Sequence, residues 1–245
     1  MSVLSAGEIL RVWEAGKTRH PLDRALLLLR VSYPGRTQEE LARLRVGQRD
    51  ALLLAVREQT FPEPLHCYTE CPRCSTSQQF DLNPAELHLE SDTGRDQDKL
   101  DLDGGVEVCF RLPNSEDLAA AVRFGSPARA GAALFDRCLL WASREGQAVD
   151  WKELPPEALT KVSEHMEECD PVAVIRLDLS CCECRHRWEA ILDIAGFFWE
   201  EIAVQAKRLL REVHILAWAY GWREAEVLAL PASRRQAYIE MVLNG

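Results

Sequence analysis

Apolar positions recur along this chain in two rhythms, and the switches between them mark out its elements. From residue 5 to about residue 60 the spacing is that of helices. "GEILRVWEAG" sets Ile9, Leu10 and Trp13 on one face. "PLDRALLLLRV" opens with Pro21, a residue suited to a first helical turn. "TQEELARLRVGQRDALLLAVREQTF" starts at Thr37, an expected N-cap, with Glu40 three residues on, the pattern of a capping box. Gly47 is expected to break or bend that stretch, and the prolines of "FPEPL" to end it.

The rhythm then becomes alternation. Tyr68, Phe80 and Leu82 flank "ECPRC", so 66–82 reads as a two-stranded hairpin with cysteines at its tip. Residues 91–99 are polar and read as an exposed loop. "KLDLDGGVEVCFRLP" alternates on both sides of Gly104-Gly105, a second hairpin. Residues 114–169 return to helix in three pieces: "NSEDLAAAVRF", capped at Asn114 or Ser115; "ARAGAALFDRCLLWASR", with Leu134, Cys138 and Trp141 on one stripe; and "PPEALTKVSEHMEECD". Asp170-Pro171 stops the last. Alternation resumes over 173–194, where Ile175, Leu177 and Leu179 lead into "CCEC" and Trp188, Ile191 and Ile194 lead out.

A long helix follows over 196–220, with Phe198, Ile202, Leu209, Val213 and Leu216 at spacings of three and four and Gly221 as its stop. "WREAEVLAL" and "PASRRQAYIEMVL", the second opened by Pro231 and Ser233, are two shorter helices. The expected organisation is an N-terminal helical region (1–62), a first knuckle hairpin (63–90), an inserted hairpin plus helical region (91–172), a second knuckle hairpin (173–195) and a C-terminal helical region (196–245). The expected fold class is α+β, mostly helical, with a four-cysteine zinc ribbon built from two distant β-hairpins and a C-terminal helical hairpin.

Composition narrows the function classes. Apolar residues make up 47% and charged residues 28%, the balance of a chain that buries a core. The net charge of −10 weighs against a general binder of nucleic acid or anionic membrane. No apolar run approaches the ~20 residues that span a bilayer. The first residues carry Glu8 within their apolar stretch and lack the basic-then-apolar order of a signal peptide, so a cytoplasmic protein is expected. In that reducing setting nine cysteines point to metal binding and buried thiols rather than a disulfide framework.

The cysteines carry the clearest chemistry. Cys71 and Cys74 are separated by two residues, and Cys181 and Cys184 repeat the spacing on another hairpin. Each such knuckle offers an adjacent pair of soft ligands, and two knuckles facing each other complete a tetrahedral zinc site. The roughly one hundred residues between them are then an insertion that the metal closes. Cys182 leaves the second pair open, and Cys67, His66 and His186 are near enough in sequence to substitute. Four protein ligands leave no place for a reacting water, so the expected zinc is structural rather than catalytic. Glu183, between two cysteines, is expected to face solvent.

Other residues suggest less. Cys109, Cys138 and Cys169 fall on apolar faces and read as core. His20, His88, His165 and His214 are scattered and read as surface or satisfied core histidines. No nucleophile elbow, phosphate loop or dinucleotide fingerprint appears, and no enzyme is expected. At the C-terminus, Trp218, Tyr220, Trp222, Arg234, Arg235 and Tyr238 combine aromatics with arginines, as anchors at protein interfaces do. A helix-turn-helix with Arg234 and Arg235 aimed at DNA is the competing reading, opposed by Glu224, Glu226 and Glu240 and by the acidic total. A plain helical hairpin, its arginines in salt bridges, is the simplest.

"EVHILAWAYGWREAEVLALPASRRQAYIEMV" resembles the C-terminal signature of the baseplate hub assembly family of contractile-tailed phages, whose relatives occur in phage-like contractile injection systems. The positions that carry the likeness are His214, Ala219, Tyr220, Gly221, Trp222, Glu224, Glu226, Arg234, Arg235 and Tyr238. "ECPRC", "FRLPNSEDLAAA", "CCEC" and "HRWEAILDIAGFFWEEI" are similar to further parts of its longer members, so the likeness spans roughly 65–245. "CCEC" departs from the expected cysteine-proline-x-cysteine. The resemblance implies a non-enzymatic protein, chaperone or component, that works with baseplate hub or spike proteins.

Overall fold

A computed structural model of the chain describes residues 2–62, 64–84 and 97–244. The polar loop expected over 91–99 therefore lies, up to residue 96, outside the described residues. Helices predominate and every sheet is small and antiparallel, an α+β protein. The chain groups into two units, each assembled from separated segments: Met1–Thr37, Leu53–Pro62 and Ile194–Gly245 in one, Gln38–Leu52 and Glu63–Asp193 in the other.

The first unit is helical. Its spine is the long apolar-striped helix of the sequence, running Ile194–Tyr220 (α8), against which α1 (Ala6–Gly16), α2 (Pro21–Ser32), α9 (Glu224–Ala229) and α10 (Ala232–Asn244) pack. Phe198, Ile202, Leu209 and Leu216 are buried along one side of α8. Gly16 has to be glycine, because a Cβ there would stand 2.4 Å from the Trp199 ring. Arg57 is buried and donates two hydrogen bonds to Glu201, at 2.5 and 2.8 Å.

The second unit holds three sheets. Two are single hairpins: β1 (Leu65–Glu70) with β2 (Ser77–Leu82), and β7 (Ile175–Ser180) with β8 (Arg187–Leu192). The third has four strands in sequential order: β3 (Asp98–Leu102), β4 (Val106–Phe110), β5 (Leu139–Arg144) and β6 (Gln147–Val149). Its core joins Val106, Val108 and Phe110 to Leu154, Ala158 and Val162, the last two on α7 (Pro156–Cys169). Gly104 and Gly105 turn the β3–β4 hairpin, both with positive φ.

Two local expectations are corrected. The helix expected to run through "CLLWASR" ends at Cys138 (α6, Pro127–Cys138), and Leu139 onward is strand, so Leu134, Cys138 and Trp141 do not share a helical stripe. Pairing with β4 decides this, and the turn at Glu145-Gly146, φ 50° and 77°, closes the next hairpin. Gly47 does not break its helix either. The break falls at 43–45, between α3 (Gln38–Ala42) and α4 (Val46–Thr60). Gly47 sits in the first turn of α4, where its N–H donates to Asp170 at 2.9 Å and the Val46 N–H donates to the Pro113 carbonyl at 3.0 Å. Tertiary partners thus satisfy amides that a helix start leaves open. A Cβ at Gly47 would lie 1.8 Å from the Asp170 carboxylate, so the glycine serves close approach.

Candidate metal centre

Each knuckle is a six-residue loop between paired strands. Glu70 pairs with Ser77 and Ser180 with Arg187, which leaves 71–76 and 181–186 as the two tips. Their backbones bond alike. The Cys71 N–H donates to the Thr76 carbonyl at 3.0 Å and the Ser75 N–H to the Cys71 carbonyl at 2.8 Å. The Cys181 N–H donates to the His186 carbonyl at 2.8 Å and the Arg185 N–H to the Cys181 carbonyl at 3.0 Å. Ser75 and Arg185 both take the left-handed conformation, φ 58° and 56°. A side chain in that region costs about 1–2 kcal/mol. The same costly conformation recurs at the same place in both tips, so the two loops share one backbone shape.

The two tips bring four sulfurs together. Cys71 Sγ lies 3.7 Å from Cys184 Sγ, and Cys74 Sγ lies 3.5 Å from Cys181 Sγ. All four fall within 4.8 Å of one another. Metal–sulfur bonds of about 2.3 Å in a tetrahedron set sulfurs about 3.8 Å apart, so the cluster is close enough to hold a metal ion. The sequence left Cys182 open as a ligand. Here it is exposed and outside the cluster, accepting a hydrogen bond from Gln78 at 3.6 Å. His66 pairs with Asp81 at 2.7 Å, and the His186 ring stacks on Trp188. Cys67 is buried in β1, and Glu183 is exposed.

The electrostatics of the cluster suit a cation. Hydrogen bonding to the Thr76 side chain and backbone lowers the Cys74 thiol to about 6. Cys181 is also lowered, first by the Cys184 backbone N–H, 3.5 Å from its sulfur. Cys184 is pushed the other way, to about 12: the His186 backbone favours its thiolate, but burial and the neighbouring sulfurs of Cys74, Cys181 and Cys71 outweigh that. Cys74 and Cys181 are thus shifted toward the thiolate, the form in which a thiol ligates a metal, and Cys184 away from it. Away from the cluster, Cys109 and Cys138 are core residues, and burial followed by the Asp117 charge raises the Cys138 thiol to about 11.

The six C-terminal candidates separate. Arg235 is buried, donating to Glu212 at 2.7 Å and to the Leu230 carbonyl at 2.6 Å. Trp222 and Tyr238 pack against the small core of Leu216, Val227 and Ile239, with ring centroids 5.0 Å apart. Tyr220 stacks on Trp222 at 4.8 Å and keeps part of its ring in solvent. Trp218 is 87% exposed, and Arg234 is exposed. The sequence did not separate the adjacent arginines, although their positions on a helix place them about 100° apart. It also passed over a second grouping of metal-ligating side chains, Asp98, His165 and Cys169.

No helix among the described residues is long and apolar enough to cross a membrane. Neither a curated protein nor a solved structure matches the chain. The sequence profile of the family described as T4 bacteriophage base plate protein matches residues 29–199, a stretch that contains both knuckles and all four clustered cysteines, and the chain belongs to that family.

Proposed function

We propose that this is a non-enzymatic protein that acts in assembly of the baseplate hub of a contractile tail or phage-like contractile injection system, as chaperone or component, with one structural zinc held by Cys71, Cys74, Cys181 and Cys184. The observation that carries the reading is the family match over 29–199, which brackets both knuckles. The zinc rests on the donor chemistry: four soft sulfurs within 4.8 Å of one another, which prefer zinc to hard cations. Bound there, the ion supplies a fixed cross-link between two hairpins distant in sequence. It has no reaction to perform when all its positions are filled by protein.

Partner binding falls to the C-terminal helices. Trp218, Tyr220 and Arg234 offer exposed anchors, while Trp222, Arg235 and Tyr238 hold the helical hairpin that presents them. The partners are hub or spike proteins of the baseplate. The DNA-binding alternative weakens here, because Arg235 is occupied by Glu212 and only Arg234 of the pair is exposed. Co-expression with hub and spike proteins, followed by pull-down, tests the assembly reading. Association with one of them that is lost on Trp218→Ala supports it. Absence of association with all of them, together with salt-dependent DNA binding in a gel shift, overturns it in favour of the regulator.

A further inference from the structure

We propose that Asp98, His165 and Cys169 form a second metal site, taking one divalent transition metal of the zinc class. The site stands on its own geometry and does not depend on the baseplate reading. His165 and Cys169 are four residues apart on α7, so they occupy one face on successive turns. Asp98 opens β3, which packs against α7. The fold thereby gathers a nitrogen, a sulfur and an oxygen donor from two elements.

The distances describe one face of a tetrahedron. Asp98 Oδ2 lies 3.2 Å from Cys169 Sγ and 3.5 Å from His165 Nε2, and the sulfur and nitrogen are 3.7 Å apart. Ordinary zinc bond lengths to sulfur, nitrogen and oxygen put such ligand atoms about 3.4–3.6 Å apart. The histidine is also held as a ligand should be. Its Nδ1 lies 3.1 Å from Glu168 Oε2, and donating a proton to that carboxylate would leave Nε2, the ring nitrogen near the other two donors, to ligate. The Phe110 ring meets the imidazole edge-on at 5.9 Å and walls one side. The second oxygen of Asp98 accepts the Lys99 N–H at 2.8 Å, which fixes the carboxylate.

A cysteine, a histidine and a carboxylate on that histidine also make up a nucleophilic triad. Asp98 argues against it. An attacking thiolate would form 3.2 Å from a second negative charge, and that repulsion disfavours it. A divalent cation turns the same charge into a ligand. The site would tie β3, an edge strand of the four-stranded sheet, to the helix covering that sheet's core.

The test counts metal on the full chain. The purified protein is loaded with zinc, dialysed and assayed by elemental analysis, alongside His165→Ala and Asp98→Asn. Each variant should hold about one zinc fewer than the unaltered protein, with the near-ultraviolet circular dichroism unchanged. Equal zinc in all three overturns the site, whatever the four-cysteine cluster binds. Should either variant fail to fold, cobalt titration of the unaltered protein decides. A phase with mixed nitrogen, oxygen and single-sulfur character supports the site, and a spectrum of four-thiolate character throughout sinks it.

Discussion

The paired knuckle hairpins and the four-stranded sheet are antiparallel structures within one unit, yet their side chains go to different places. Along β4, Val106, Val108, Cys109 and Phe110 are all buried, and helix α7 closes over the core they make. Along β2 and β8 no residue is fully buried, and β7 buries only Ile175. The sheet has the apolar area to hold itself, since a buried side chain of this size contributes about 1.5–3 kcal/mol. The hairpins bury far less, Leu65 and Cys67 on β1 and Ile175 on β7, and an isolated two-stranded hairpin is marginal in water. Their sulfur cluster occupies the place a core would take. The difference teaches that the same local structure is secured by burial in one region, while in the other it carries four sulfurs close enough to hold a metal ion, the support that the proposed zinc would supply.

The largest expected effect breaks the comparison at the metal. A four-thiolate zinc site contributes on the order of 10 kcal/mol to folding. Chelation, Cys71→Ser or Cys184→Ser should therefore strip amide-exchange protection from 65–82 and 175–192 while the four-stranded sheet keeps its own. Unchanged protection in the hairpins would show that the sulfurs are not their support. The converse change is Phe110→Ala, which empties the centre of the sheet core and should cost about 3–5 kcal/mol in urea unfolding. Here the four-cysteine site should keep its zinc, and its loss would mean that the two regions unfold as one.

Asp117 sharpens the sheet side. Its carboxylate is buried and accepts hydrogen bonds from Arg111 at 2.6 and 2.9 Å, from Arg137 at 2.6 Å and from the Asn114 N–H at 3.0 Å. Burial works to raise its pKa, but the Arg111, Asn114 and Arg137 donors prevail and hold it below the usual carboxylate range. A folded-state value below the unfolded one means the stabilisation is complete above the ordinary aspartate pKa of about 3.9 and is lost as pH falls through the folded value. Asp117→Asn should destabilise by about 1–3 kcal/mol at neutral pH, and the gap to the unaltered protein should narrow in acid. A gap that stays constant from neutral pH into strong acid would rule the ion pairs out as its source. The smallest effect belongs to Cys182→Ser. Zinc content and melting should match the unaltered protein, because Cys182 is exposed and outside the cluster. Loss of about one zinc would reassign the second knuckle's ligand.

Much of this was legible in the residues themselves, because it depends on near neighbours. The knuckles announce themselves by spacing, and their hairpins by alternation on either side. The cap of the helix at 115, which the sequence places at Asn114 or Ser115 and the structure at Asn114, and the glycine stop at Gly221 are equally local. Other features needed the third dimension. "LLWASR" is compatible with helix, and only pairing to β4 makes it strand. Gly47 looks like a break until Asp170, distant in sequence, is brought against it. Arg234 and Arg235 look alike in sequence, and Glu212 on α8 separates them by taking one.

The sequence by itself determined the two cysteine pairs, the helices and hairpins around them, and the acidic, core-forming character of the chain. Each follows from spacing and composition over a few residues. Only the tertiary structure decided that Cys181 rather than Cys182 joins the cluster, and that Asp98 meets His165 and Cys169. The physical reason is range. A coordination site needs its donor atoms within a few ångströms, and where the donors come from elements far apart in the chain, the packing of those elements decides which of them meet.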